Sequence, residues 1–206
     1  MLRSPIFLPL FFVLLILSGC GREQERSEAE LGKGNLRWAS FPVDIRVDSF
    51  LLQDSNAVDD LNDAMRFWET KAGKPLFRLV GGWDNSQKPY TGPAAEPQEI
   101  LANVIFFEGP WPFDSRIAGK TIVHSSNNLI ENSIIFLNSD THLCSHDCSS
   151  SNGDVSRRKL IAHELGHFVG LGHSTDTSDV MYPEILDGGS LTELRVNTSM
   201  LQYLTN

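Results

Sequence analysis

The sequence predicts a mixed α/β (α+β) domain in which a twisted, mostly parallel sheet is backed by two long helices, with a further helix near the C-terminus. Three observations predict it. Short apolar segments with strand character follow one another through the middle of the chain, a long amphipathic segment lies between the first two, and a second helical pattern comes after the last. About 170 residues, 36–206, are available, which is enough for one domain with a substantial core.

The strands are predicted from apolar alternation and from short β-branched runs bounded by turn residues. Asn127-Asn128 favours a hairpin turn between the last two strands. Polar stretches rich in glycine, proline, serine and asparagine predict exposed loops at residues 81–97 and 138–155. The predicted strands are residues 45–50, 76–80, 103–107, 120–125 and 133–137.

The helices are predicted from apolar residues that recur every three or four positions. Asn56 or Asp59 could cap the first helix, and residues 73–75 (Gly-Lys-Pro) would stop it. Ser156 or Asp154 could cap the second. The predicted apolar faces are Val58, Leu61, Met65 and Trp68 in the first helix, and Leu160, Ile161, Leu165 and Phe168 in the second.

The N-terminal part of the chain is expected to lie outside this domain. Residues 1–19 have the layout of a secretory signal peptide, because Arg3 precedes an apolar run at residues 6–17 that is short for a membrane span. Residues 20–35 are mostly polar and charged, so they predict a flexible tether with an end-to-end distance of roughly 20 Å.

The end of the signal segment, Leu-Ser-Gly-Cys at residues 17–20, resembles the lipobox of bacterial lipoproteins. The resemblance implies cleavage before Cys20 and a lipid anchor on it, and the alternative is an ordinary cleaved signal with a cysteine there by chance. The residue after Cys20 is Gly21 rather than an aspartate, which would signal retention in the inner membrane. The implied location is the bacterial cell envelope, at the outer membrane, facing either the periplasm or the outside.

The charge of the chain limits its partners. The formal net charge is −9 and becomes −10 if Arg3 leaves with the signal peptide. Such a balance argues against nucleic acid and against electrostatic adhesion to anionic lipid. A monomer held at the membrane by its lipid is therefore expected.

The stretch HELGHFVGLGH holds three of the six histidines. Positions four apart on a helix share a face, so His163 and His167 can point two imidazoles at one spot. Gly170 can adopt positive φ and end the helix sharply, which would return His173 as a third ligand. Three neutral imidazoles leave the fourth zinc position open, as in a catalytic site. Glu164 lies near the same spot without being forced to ligate.

This H-E-x-x-H-x-x-G-x-x-H pattern, followed eight residues later by Met181, resembles the metzincin zinc peptidases. Ser174 directly after the third histidine, and the Met-Tyr-Pro of the turn, resemble the matrixin branch that contains the matrix metalloproteinases. The resemblance is specific over residues 160–185 and weaker over 38–206. It implies a zincin-type fold, one catalytic Zn²⁺ held by His163, His167 and His173, Glu164 as the catalytic base, Met181 as the apolar floor beneath the metal, and a substrate pocket walled by Pro183 and Ile185.

Several features depart from the matrixin pattern. No cysteine-motif propeptide that would block the zinc is seen, so latency by that route is not expected. Only His124 lies where matrixins hold a second, structural zinc, so that site is not expected either. Ile185 stands where an aromatic residue is common. Asp147 and residues 149–154 could bind calcium. Their spacing does not fit an EF-hand loop, so a solvated loop is the favoured interpretation.

Two cysteines remain once Cys20 is assigned to the lipid. In an exported protein, Cys144 and Cys148 predict a disulfide. Their alternation with His142 and His146 leaves a soft-metal site as the alternative.

The function expected from these features is that of a lipid-anchored, zinc-dependent endopeptidase acting on protein or peptide substrates. By resemblance, the substrate would run as an extra strand along residues 119–125, unless the 81–97 loop covers that edge. The alternatives are a hydrolase of cell-wall peptide cross-links and a binding lipoprotein with a degenerate site, although the intact Glu164 argues against the latter.

Overall fold

The computed structural model describes residues 36–84, 86, 102–146, 154–185 and 189–205. The predicted signal peptide, Cys20 and the tether lie outside these residues, as do Cys148 and most of the predicted 81–97 loop. Predictions that concern them therefore stay predictions. Among the helices of the described part, none is long and apolar enough to cross a membrane.

The main sheet is mostly parallel, as predicted, and it has five strands: β1 (Val43–Asp48), β2 (Phe77–Trp83), β3 (Val104–Glu108), β4 (Gly119–Ser126) and β5 (Leu129–Asn138). Their order is β2-β1-β3-β5-β4, and every neighbouring pair is parallel except β4 with β5. A short parallel ladder joins β6 (Leu143–Cys144) to β7 (Val155–Ser156) inside the predicted 138–155 loop.

The predicted hairpin between β4 and β5 is confirmed. Asn127 and Asn128 both have positive φ, 52° and 64°, as a two-residue type I′ turn requires. The assignment of residues 81–83 to a loop is wrong, because they continue β2 and pair with the end of β1. Backbone pairing needs no side chain, so two glycines did not prevent the strand. The turn leaves β4 at an edge of the sheet.

The three helices are α1 (Ser55–Ala72), α2 (Arg157–Phe168) and α3 (Thr198–Thr205). Ser156 caps α2, as predicted, by accepting a hydrogen bond from the backbone N–H of Lys159. Neither residue suggested as the cap of α1 has that role, because the side chain of Asp54 accepts from the N–H of Asn56 instead. Gly73 ends α1 with φ of 69°.

The core lies where α1 and α2 pack together against one face of the sheet. Trp68 is fully buried there, and its indole N–H donates to the carbonyl of Ala162 on α2 at 2.7 Å. Of the predicted apolar face of α1, Leu61 and Trp68 are fully buried, Met65 is partly buried and packs against the core, and Val58 is partly buried. The fully buried apolar stripe consists of Ala57, Leu61, Ala64 and Trp68.

A buried ion pair joins the start of α2 to α1. Asp60 is fully buried and accepts from the guanidinium Nε of Arg157 at 2.9 Å and from the N–H of His146 at 3.0 Å. Arg157 also donates to Asp54 at 3.0 Å and to Ser145 at 2.7 Å. These charge-assisted bonds offset the cost of removing both charges from water. They hold α2 against α1 and hold the loop before β7 against both.

Candidate active site

Helix α2 and the turn after it bring three imidazoles together. The Nε2 atoms of His163 and His167 lie 3.1 Å apart, and those of His167 and His173 lie 3.2 Å apart. A tetrahedron whose centre is about 2.0–2.1 Å from each nitrogen, as around zinc, has edges of about 3.3 Å. Among the described residues, this is the one group of three or more possible metal ligands. The donor set and spacing fit a zinc ion.

The outer nitrogens of two of these rings are held by backbone carbonyls. His163 Nδ1 lies 2.8 Å from the oxygen of Val180, and His167 Nδ1 lies 2.8 Å from that of Leu171. A carbonyl can only accept, so each Nδ1 carries the hydrogen and each Nε2 presents a lone pair to the shared centre. Burial lowers the pKa of His167 well below its ordinary value, and the neighbouring imidazoles add to this effect. His167 is thus set up as a neutral ligand.

The return of the chain after α2 depends on Gly170. Its φ is +97°, and its N–H donates to the carbonyl of His167 at 2.8 Å. A Cβ here would lie 2.5 Å from the backbone oxygen of Leu36, so a side chain is excluded by conformation and by space. Trp38 of the same N-terminal segment donates to the carbonyl of Phe168 at 2.9 Å, which satisfies a free carbonyl at the end of α2.

Met181 is fully buried in a turn beneath the histidines. Its N–H donates to the carboxylate of Asp179 at 2.9 Å, and its carbonyl accepts from Ser174 N–H at 2.8 Å. The other oxygen of Asp179 accepts from the N–H of Asn197 at 2.9 Å. The turn is therefore tied both to the segment that carries His173 and to the C-terminal part of the domain.

Gly166 makes room for this turn inside α2. A Cβ at Gly166 would lie 2.1 Å from the sulfur of Met181 and 2.7 Å from Cζ2 of Trp68. Real side chains do not approach so closely, so helix and turn can contact only because this position lacks a side chain. The position of Gly166 in the sequence does not by itself indicate this role.

Glu164 is buried beside the three imidazoles, and both of its carboxylate oxygens have defined neighbours. The hydroxyl of Thr121 on β4 donates to Oε2 at 2.5 Å. A Cβ at Gly119 would lie 2.8 Å from Oε1, so this glycine leaves space in front of that oxygen. The sequence did not single out Thr121, because only the packing of α2 on β4 brings it to Glu164.

A cavity of about 430 Å³ opens beside the imidazoles, between the residues leading into β4 and residues 183–185. The predicted pocket residues Pro183 and Ile185 both line it. Arg116 stands in its lining but is paired with the exposed Asp114 at 2.7 Å, and this hydrogen bond holds the pKa of Asp114 down to about 2. Apolar groups that line it include Ile117, Ala118, Val155, Leu160, Pro183 and Ile185.

The other candidate metal ligands of the described part are turned elsewhere. His142 contacts Asp154 at 2.6 Å, and His146 faces the buried Asp60. His124 lies on β4 opposite Asn132 and belongs to no cluster of possible ligands among the described residues. Cys144 lies on β6, while its predicted partner Cys148 is outside the described residues, so the disulfide stays a prediction.

Comparisons with known proteins agree with this geometry. The matrixin family model, Peptidase_M10, matches residues 48–197. An interstitial collagenase of Aquarana catesbeiana is 26% identical over 174 residues, which is 83% of this chain and 35% of that protein. Metalloendoproteinase 5-MMP of Arabidopsis thaliana is 33% identical over 94 residues, 40% of this chain and 24% of that protein. The chain thus spans about a third or less of the length of these relatives.

The matched segment runs from the last residue of β1 to the residue before α3, so it contains strands β2–β5, both long helices, the histidines and the methionine turn. The three converging imidazoles are the arrangement that a zinc peptidase of this family needs. The chain belongs to the matrixin family.

Proposed function

We propose that this protein is a zinc-dependent endopeptidase in which His163, His167 and His173 hold the metal and Glu164 is the general base. The observation that carries the proposal is the convergence of three Nε2 lone pairs next to a buried carboxylate at the mouth of a cavity. A bound zinc ion would lower the pKa of a coordinated water to about 7, and its positive charge would stabilise the negative charge that develops on the carbonyl oxygen of the substrate.

The chain's own residues then perform the proton transfers. Glu164 accepts a proton from the attacking water at Oε1, the oxygen that faces the space left by Gly119, and it later gives that proton to the leaving amine. Leu160 and Gly119 bound this space tightly, since a Cβ at the glycine would lie 2.9 Å from Cδ1 of Leu160. A carboxylate in such a confined site meets little competing water.

Substrate binding is proposed at the outer edge of β4, which is an edge strand among the described strands. This strand pairs only with β5 among the described strands, so its outer backbone groups face the cleft side of the domain. An extended peptide can satisfy such groups with main-chain hydrogen bonds that need no particular side chain. Side-chain selection would then fall to the cavity beside the imidazoles.

The cavity predicts which residue is accepted directly after the cut. Six apolar residues contribute to its lining, and Arg116 is paired with Asp114, while Lys120 and Glu184 also line it. Cleavage of a diverse peptide library is expected with Leu or Phe at that position and with Lys, Glu and Gly disfavoured. Preference for those three would refute the pocket assignment. Cleavage of purified cell-wall sacculi but of no library peptide would favour the alternative of a cross-link hydrolase.

A lipid anchor at Cys20 is proposed as well, on the strength of the Leu-Ser-Gly-Cys sequence and of the tether-like composition that follows it. Expression in a bacterial host with radiolabelled palmitate should label the protein and place it in the outer-membrane fraction. Cys20→Ser should lose the label and remain as an unprocessed precursor. Equal labelling of both forms, or release of both as soluble protein, would reject the anchor.

A further inference from the structure

The hydroxyl of Thr121 on β4 donates a hydrogen bond to the carboxylate of Glu164 on α2. Oγ1 lies 2.5 Å from Oε2 and 3.2 Å from the backbone oxygen of Glu164. Thr121 itself is buried, with 4% of its surface exposed. A single hydroxyl hydrogen cannot serve both acceptors fully, and the shorter contact to a charged oxygen is the stronger one.

The two carboxylate oxygens are thereby made unequal. Oε2 is held by the hydroxyl on β4, whereas Oε1 faces the position where Gly119 has no side chain. Because the two oxygens are chemically equivalent, a half-turn about the last bond leaves the site unchanged, but a smaller rotation would turn the outer oxygen away from the cleft. A terminal sp³–sp² torsion of this kind has only a broad preference of its own, and the hydrogen bond from Thr121 restrains it.

We propose that Thr121 is a positioning residue that holds the carboxylate plane of Glu164, so that the oxygen not bonded to Thr121 points toward the cleft. The inference rests on the proposed function, because it assigns Glu164 the role of general base. A residue that acts on a base in this way changes the rate of the chemical step more than it changes substrate binding. Strand β4 also carries the proposed substrate-binding edge. The hydroxyl that restrains Glu164 and the edge that binds substrate therefore belong to one rigid element.

The alternative is that Thr121 only fills space between β4 and α2. Two matched pairs of side chains separate these roles. Threonine and valine differ by hydroxyl against methyl at nearly constant shape, and serine and alanine differ by the hydroxyl alone. If Thr121 only fills space, activity depends on the size of the side chain, so the valine variant should remain active and the serine variant should not. If Thr121 positions Glu164, activity depends on the hydroxyl, so the serine variant should remain active and the valine variant should not.

The experiment compares Thr121→Val, Thr121→Ser and Thr121→Ala in the zinc-loaded protein. The hydroxyl-free variants are expected to lose about 10- to 100-fold in kcat with KM within about twofold, and the serine variant to retain most of the rate. Zinc content should be the same in all. Ser133→Ala is the matched control, because this buried hydroxyl on β5 has no hydrogen-bond partner among the described residues.

A second measurement does not need turnover. A peptide hydroxamate chelates zinc through two oxygens, and its remaining proton needs a carboxylate acceptor close by. Calorimetric titration should show weaker binding to the valine and alanine variants by about tenfold, the loss of one well-placed charged hydrogen bond, and near-normal binding to the serine variant. If wild type binds hydroxamate but cleaves no peptide, the proposed function fails while Thr121 remains testable by this titration. Equal rates and affinities for valine and threonine, or a serine variant as impaired as alanine, would overturn the positioning role.

Discussion

Glu164→Gln is expected to lower kcat for peptide cleavage by about 10²- to 10⁴-fold while the protein keeps its fold and its zinc. The amide has nearly the volume of the carboxylate, so the packing of α2 against β4 is retained. Its oxygen can still accept the hydrogen bond from Thr121. It cannot accept a proton from water or return one to the leaving amine, and these steps are what the variant loses.

The stability of this variant should be equal to that of wild type or slightly higher. Glu164 is buried, with 4% of its surface exposed, and a neutral amide costs less to remove from water than a carboxylate does. The measurements are kcat on a cleavable peptide, zinc per chain, and the thermal midpoint. Glu131→Gln is the matched control, because Glu131 is exposed on β5 and the same change of charge there should leave all three values unaltered.

Two results would contradict the assignment of Glu164. Cleavage by the Gln variant at a rate near wild type would show that another group removes the proton. Loss of zinc from the variant would show instead that Glu164 acts as a ligand, in conflict with its contact to β4 rather than to the shared centre of the imidazoles.

The fold was predictable where local pattern and packing agree. The hairpin followed from Asn127-Asn128, since asparagine tolerates the positive φ that the turn needs. Ser156 as a cap and Gly170 as the end of α2 followed from the same kind of local conformational reasoning. Strand ends were less well predicted, because backbone pairing with a neighbour decides them, as residues 81–83 show.

The interactions that cross the chain were not predictable from one sequence. The burial of Asp60 on α1 is one example, because an aspartate is rarely buried without a partner and its partner, Arg157, lies 97 residues away. The contact of Thr121 with Glu164 could not be predicted either, because it forms only when α2 packs on β4.

The three histidines of the metal cluster could be predicted from the sequence far better than the residues that pack around them. His163 and His167 share a helix face by spacing alone, and His173 needs only one sharp turn to join them. Helix α2 approaches Met181 closely because Gly166 has no side chain. A single glycine within a helix gives no sequence pattern from which this contact could be predicted.

Removal of zinc is expected to abolish activity and to lower the thermal midpoint. One zinc per chain should be found, and a chelator should remove it. Metal that binds the folded state at 100 times its dissociation constant adds about 2.7 kcal/mol to the free energy of unfolding. For a domain of this size, that corresponds to a shift of roughly 5–10 °C in the thermal midpoint.

His167→Ala tests the same site without a chelator. His167 lies between the other two rings, 3.1 and 3.2 Å from their Nε2 atoms, so its removal leaves the site without its central ligand. Zinc content and activity should both fall below detection. The chelator-induced shift of the thermal midpoint should vanish in this variant, because there is no bound metal left to lose.

The comparison of wild type with His167→Ala separates the metal from the packing of the side chain. In metal-free protein the substitution removes a buried ring and its hydrogen bond to Leu171, which costs stability in its own right. In metal-loaded protein it removes that contribution and the zinc linkage together, so the difference between the two costs is the contribution of the metal. His124→Ala, on β4 and outside the cluster, should keep one zinc and the full chelator-induced shift. Two tightly bound zincs in wild type, or one zinc retained by His167→Ala, would contradict a single three-histidine site.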